Sequence, residues 1–155
     1  MGIDPGTATT GWGVIENHKG KQNCIDFGVV ATPKTKTESE RLHIIYKDAT
    51  KLFKQFKPDA VAVERIFFNT NVTTALTVGQ ARGVILLTIE QQGLPVCSYT
   101  PLQVKMALTG YGRADKKQMQ EMVKVSLKLK TIPRPDDAAD ALAVALTHAF
   151  TKKFP

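Results

Sequence analysis

Residues 1–16 read MGIDPGTATTGWGVIE, and the fold turns on how Asp4 within them is understood. A short apolar start, Gly2-Ile3, runs into an acid, the acid into a Pro5-Gly6 turn, and the turn into TTGWGVIE, whose branched and aromatic residues suit a strand. Asp4 is therefore either a turn-capping residue or the first of a group of catalytic carboxylates. Only Met1, Gly2 and Ile3 precede it, against about 5–6 residues in an average strand. A clipped first strand is expected, either because the natural start lies upstream or because the fold tolerates the short strand.

Working outward, TTGWGVIE and NCIDFGVVAT are joined by NHKGKQ, a polar, glycine-containing turn, so the first three strands form an antiparallel meander. The period then changes. From Thr37 to Phe56 the apolar residues Leu42, Ile45, Ala49, Leu52, Phe53 and Phe56 fall on one helical face, with Thr37, Glu38, Ser39 and Glu40 at its start and Pro58 beyond its end. DAVAVERI reads as a buried strand, NVTTALTVGQARGVILLTIEQQ as a long helix, PVCSYT as another strand, and PLQVKMALT, DKKQMQEMVKVSLKLK and PDDAADALAVALTHAF as three more helices. Alternation of strand and helix at this spacing implies parallel pairing after the meander. The expected architecture is a mixed five-stranded sheet flanked by helices, in one domain over residues 1–155.

Composition narrows the partner. Hydrophobic residues at 43% and charged residues at 23% are those of an ordinary folded chain. Lys and Arg outnumber Asp and Glu by 21 to 14, and the net charge of +7 favours a polyanion, nucleic acid first and membrane surface second. Cys24 and Cys97 have no CxxC spacing and His18, His43 and His148 lie near neither, so no zinc site and a reducing compartment are expected. No leader precedes Asp4, and GVILLTI falls well short of the roughly 20 apolar residues of a bilayer span. A cytoplasmic protein without a membrane partner is expected.

The acids carry the chemistry. Asp136 and Asp137 suit a helix N-terminus, but Asp140 stands a turn further in among alanines, where Asp has poor helix propensity. Asp137 and Asp140, spaced i and i+3, share a face, while Ala138, Leu142, Ala145, Leu146 and Ala149 form another suited to close packing on a sheet. Glu64 ends DAVAVE as Asp4 ends GID, and strand ends present functional side chains in α/β sheets. Four converging carboxylates without cationic partners repel one another unless protons or metal ions intervene. Oxygen-only ligands suit Mg²⁺ or Mn²⁺, and two such ions about 3.5–4 Å apart serve phosphodiester hydrolysis.

GIDPGTATTGWGVIE, AVERIFFNTNVTTALTVGQARG, YTPLQVKMALTGYGRADKKQMQ and PDDAADALAVALTH together resemble the successive motifs of the RuvC family of Holliday-junction resolvases, in order and over nearly the whole chain. The resemblance implies a ribonuclease H-like fold, a homodimer and Mg²⁺-dependent nicking of two like-polarity strands of a four-way DNA junction, in recombination and repair. It implies metal ligands at Asp4, Glu64, Asp137 and Asp140, with two ions per site, Asp4 bridging them and Mn²⁺ an alternative. Cooperation with the RuvA and RuvB branch-migration proteins is implied likewise.

Seven Lys or Arg against two acids lie between Pro101 and Lys130. Lys124, Lys128 and Lys130 read as a solvated helix face, whereas the resemblance puts Lys105 and Lys116 near the cleaved phosphate, where a cation stabilises developing charge. GYGRADKK adds Arg113 and Lys117 beside glycines that let backbone amides approach phosphate. The two aromatics of RIFFN, Phe67 and Phe68, cannot both enter one core without a turn of the chain, and the resemblance makes Phe67 a base-stacking residue, with Phe68 sharing the task. Arg82 reads as a phosphate contact or as the rim of a helix. Gly79 and Gly83, four apart, mark a close-packing face in a region through which the family dimerises.

Three other readings meet parts of this pattern. An actin-like or Hsp70-like ATPase shares the GIDPGTATTGWGV loop but needs a longer chain with a second phosphate loop. A ribonuclease H-like nuclease of the YqgF type acting on RNA would share Asp4 but not the FFN and DDAAD segments. A non-catalytic junction-binding scaffold would not need all four acids.

Overall fold

The computed structural model describes residues 1–66 and 72–151. Five strands, β1 (Gly2–Asp4), β2 (Thr9–His18), β3 (Lys21–Ala31), β4 (Val61–Glu64) and β5 (Val96–Tyr99), form one sheet in the order β3-β2-β1-β4-β5. β1 pairs antiparallel with β2 and parallel with β4, and β4 pairs parallel with β5. The meander followed by parallel strands is the expected arrangement. β1 is three residues long at the centre of the sheet, and Met1 prolongs its pairing, its carbonyl accepting from the Ala62 amide at 2.8 Å.

Helices α1 (Glu38–Phe56) and α2 (Val72–Gln91) cover one face, and α3 (Pro101–Thr109), α4 (Lys116–Ser126) and α5 (Asp136–Thr151) cover the other. α1 begins with a full capping box: Thr37 accepts from the Glu40 amide while the Glu40 side chain accepts from the Thr37 amide. It ends at Lys57, whose φ of 43° turns the chain out of the helix one residue before Pro58. Ile45, Phe53, Ile85 and Ile89 from this layer pack with Ile3, Val61 and Val63 from the sheet. On the opposite face Val104, Val123, Leu142 and Leu146 pack with Ala62.

One helix is shorter than its sequence pattern suggests. DKKQMQEMVKVSLKLK carries apolar residues to Leu129, yet α4 stops at Ser126. Lys128 adopts φ 53° and the Leu129 amide donates back to the Lys124 carbonyl at 2.9 Å, closing the helix through a left-handed turn usually taken by glycine. Lys128 and Lys130 therefore lie beyond the helix, while Lys124 on it pairs with Glu121 at 3.6 Å. α2, at 20 residues and mean hydropathy 1.4, is long and apolar enough to cross a bilayer by length and composition, which the shorter run GVILLTI alone did not suggest. Here it buries Ala81, Ile85 and Ile89 in the core.

Candidate metal centre

Asp4 leaves the C-terminal end of β1 and Glu64 the equivalent end of neighbouring β4, so parallel pairing sets the two side by side. Asp137 and Asp140 arrive from the first turns of α5, which lies directly across β1 and β2. That approach depends on absent side chains. Gly2 and Gly13 are cross-strand partners, as are Asp4 and Gly11. A Cβ on Gly11 would stand 1.9 Å from the Asp137 carbonyl oxygen, one on Gly2 2.1 Å from the Ala141 oxygen, and one on Gly13 2.6 Å from Leu142 Cδ2. Glycine at alternate positions of β2 thus bares a strip of backbone, and the alanine-rich α5 sinks onto it until Asp137 and Asp140 reach Asp4.

Carboxylate oxygens of Asp4, Asp137 and Asp140 lie within 4.8 Å of one another. Glu64 stands at the end of the strand beside Asp4, close enough for each carboxyl to act on the other. Burial, followed by the charges of Glu64, Asp140 and Asp137, pushes the Asp4 carboxyl up to about 8. Burial and then Asp140 push Glu64 to about 7, against the opposing pull of the Asp4 hydrogen bond and of Lys105. Asp140 is raised too, mainly by burial, with Lys116 opposing. Among the described residues, the groups acting on Asp4 are all acids. A cluster with its protons this tightly held, made of oxygen donors alone, has the composition a hard divalent cation fits.

The surrounding residues fall into different roles. Lys116 Nζ stands 3.2 Å from Asp136 Oδ2 and 3.4 Å from Asp140 Oδ2, which draws Asp136 beside the cluster although it is not among the four expected ligands. Lys105 lines a groove of about 220 Å³ with Glu64, Lys116 and Asp140. Arg113 and Lys117 are exposed, the latter beside Tyr111 in a separate shallow hollow. Arg82 is engaged at the sheet: Nε donates to the Glu64 carbonyl at 3.1 Å and Nη2 to Ser98 Oγ at 3.0 Å, tying the ends of β4 and β5. Phe67 and Phe68 lie outside the described residues.

Sequence reading missed two contributors. Thr9 donates its hydroxyl to Asp137 Oδ2 at 2.8 Å, fixing one carboxylate oxygen from the first residue of β2. Gly11 sets the depth of α5, and its signal in the sequence was the Gly-x-Gly alternation of TTGWG, which has meaning only once a helix is known to lie above it.

The protein-family model described as "Crossover junction endodeoxyribonuclease RuvC" matches residues 1–148. A protein of that description from Roseiflexus sp. (strain RS-1) is 57% identical over 97% of this chain and 89% of its own. Among solved structures, Thermus thermophilus RuvC superposes with a TM-score of 0.89 at 43% identity, over 96% of this chain and 92% of that one. The T. thermophilus RuvC in complex with Holliday junction substrate gives 0.90 at 42% identity, over 96% and 91%.

Proposed function

The chain belongs to the RuvC family of crossover junction endodeoxyribonucleases, and we propose that it resolves four-way DNA junctions by hydrolysing one phosphodiester in each of two like-polarity strands, with divalent cations held by Asp4, Glu64, Asp137 and Asp140. The observation that carries this reading is the carboxylate cluster: three acids with oxygens within 4.8 Å of one another and a fourth, Glu64, at the end of the strand beside Asp4. Mg²⁺, as two ions per site, is the proposed occupant, and Mn²⁺ meets the same oxygen preference. When bound, such ions supply activation of a water and neutralisation of charge at the leaving oxygen.

The chain's own residues orient the reaction. Thr9 holds Asp137 by one oxygen and leaves the other for a ligand. Arg82 fixes the backbone from which Glu64 projects. Lys105, half-buried beside Glu64, places a positive charge next to the cleaved phosphate, and Lys116 exchanges its acid partners for phosphate oxygens when DNA arrives. Arg113, Lys117 and the remaining nitrogen of Arg82 are proposed as further backbone contacts, with Phe67 and Phe68 stacking on unpaired bases at the crossover.

A junction with two-fold symmetry needs two sites related in the same way. α2 supplies a surface for pairing: Val72, Leu76 and Leu87 are 79%, 63% and 56% exposed, and a Cβ on Gly83 would meet nothing within 4 Å. We therefore propose a homodimer formed through the outer stripe of α2. The family resemblance extends the proposal to a single nuclease domain over residues 1–155, to RuvA and RuvB as partners and to a cytoplasmic site of action.

A labelled four-way junction incubated with Mg²⁺, beside linear duplex and RNA–DNA hybrid of the same sequence, tests the reading. Paired, symmetric nicks in the junction alone are expected. Equal cutting of linear duplex removes the structural selectivity, and preference for the hybrid would favour the RNA-directed alternative.

A further inference from the structure

The four acids sit between two grooves. One, on the side of Glu64 and Asp140, carries Lys105 and Lys116. The other, on the side of Asp4 and Asp137, is the larger at about 500 Å³ and runs between the loop after β1, the first turns of α1 and the first turns of α2. Its ionisable lining residues among those described are three acids, Asp4, Glu38 and Asp137, and one cation, Arg41.

Arg41 is held in place rather than free to swing. Its Nε donates to Thr32 Oγ1 at 2.7 Å, and Thr32 in turn donates its hydroxyl to the Thr7 carbonyl at 2.6 Å. Thr7 donates its own hydroxyl to the Thr77 carbonyl of α2 at 2.7 Å. One chain of hydrogen bonds therefore joins α1, the end of β3, the loop that follows Asp4, and α2. Among the described residues no acid pairs with the guanidinium, and Arg41 lines the groove. Lys116 differs, being neutralised by Asp136 and Asp140.

A strand whose phosphodiester lies over the carboxylates must continue in both directions, and its next phosphates enter a groove on each side. We propose that the groove beside Asp4 and Asp137 is the exit subsite for the cleaved strand and that Arg41 binds a backbone phosphate there, within two or three nucleotides of the cut. The inference rests on the nuclease reading above. A guanidinium suits the task because its fork can grip two phosphate oxygens while Nε stays on Thr32, and because its prior immobilisation lowers the ordering cost of binding. Glu38 and the catalytic acids would repel an unaccompanied phosphate from this groove, so Arg41, the one cation among the described lining residues, decides whether the strand enters.

The test couples protein and DNA changes. Junctions carrying one uncharged methylphosphonate at successive positions on either side of the cut are bound by wild-type protein, Arg41→Gln and Arg41→Lys without divalent metal, with melting temperatures recorded alongside. At one position on one side, wild type should lose affinity about as much as Arg41→Gln loses on the all-phosphate junction, and combining the two should cost little more. Arg41→Gln should also lower the slope of log affinity against log salt by about 0.9 per contact, and Arg41→Lys should restore most of that slope. Additive losses at every position, or an unchanged slope, would overturn the proposal and leave Arg41 a tether for Thr32. Thr32→Val, which removes the tether and keeps the charge, should retain the slope; loss of it there would equally assign the effect to folding. The same cycle on linear duplex separates the two readings: coupling that persists without junction preference keeps the Arg41 contact and removes the junction assignment.

Discussion

Toward α1 and α2 the sheet presents Ile3, Val61 and Val63, each no more than 1% exposed, with the Trp12 ring tilted against Phe56 at a centroid distance of 5.5 Å; toward α5 the same strands present Gly2, Gly11, Gly13 and Ala62. The strand period of two separates the layers residue by residue. Branched side chains on the first face fill space and bury apolar area, the ordinary source of stability. Bare backbone on the second gives up that area, and in exchange α5 comes close enough for Asp137 and Asp140 to meet Asp4. One face is built for cohesion and the other for placing acids, so substitutions on the two should fail in different ways.

The sharpest break is Asp4→Asn, which removes an ionisable ligand oxygen from the cluster and nothing from either layer. Junction cleavage should fall by at least the roughly 10²–10³-fold that loss of one transition-state contact costs. Without metal and above about pH 8, where the carboxyl would ionise, the melting temperature should hold or rise, because a repelling, buried charge has gone. A fall in stability matching the fall in activity would make Asp4 a structural residue. Gly11→Ala comes next: its Cβ would meet rigid backbone of Asp137 at 1.9 Å, so α5 must retreat. A displacement near 1 Å can cost about 10²-fold in rate, and single-turnover cleavage at saturating protein should show it even where the fold survives. Ile85→Ala on the other face should do the reverse, costing about 2–5 kcal/mol in denaturant unfolding with the cleavage rate per folded molecule unchanged. If Ile85→Ala slowed chemistry as Gly11→Ala does, the two layers would not be separable.

The protons of the cluster give a smaller, graded effect. Asp4 is raised from 3.8 to about 8 and Glu64 from 4.5 to about 7, so between those limits the folded protein holds protons that the unfolded chain has released. Metal-free stability is therefore greatest at low pH and declines as pH rises from about 4 through about 8. Divalent cations must displace the same protons, so Mg²⁺ affinity measured by calorimetry should strengthen by about tenfold per pH unit for each proton displaced and level off above pH 8. Affinity independent of pH over this range would mean that the acids are already ionised.

Much of this arrangement is legible before any coordinates. Asp4 and Glu64 announce themselves as acids ending apolar strands, and Asp140 as an acid out of place in an alanine helix, so local propensity and chemistry disagree where the site lies. The helix of Thr37–Phe56 is marked by its period and by its capping box. What escapes is decided by contacts between distant segments. Gly11 reads as a weak strand residue until α5 is laid over it, Arg82 as a surface cation until β4 and β5 are side by side, and the early end of α4 is hidden because Lys128 takes a backbone conformation its side chain does not advertise.

Thr9 tests the smallest of these long-range effects. It belongs to the bare face, yet it contributes neither charge nor helix packing, only a hydroxyl 2.8 Å from Asp137 Oδ2. Thr9→Val keeps the branched shape of the strand residue and deletes the donor, leaving that oxygen to rotate or to seek another partner. Outer-shell hydrogen bonds of this kind are worth about 10–100-fold in metal affinity; because Asp137 is half-exposed and water can replace the hydroxyl, about tenfold is expected, read as weaker Mg²⁺ binding in the absence of DNA. Thr9→Ser should restore affinity, since it restores the hydroxyl. Wild-type affinity in the Val variant with weakened affinity in the Ser variant would show that the methyl group, and so strand packing, is what matters at this position, and that the carboxylate of Asp137 is placed by the depth of α5 alone.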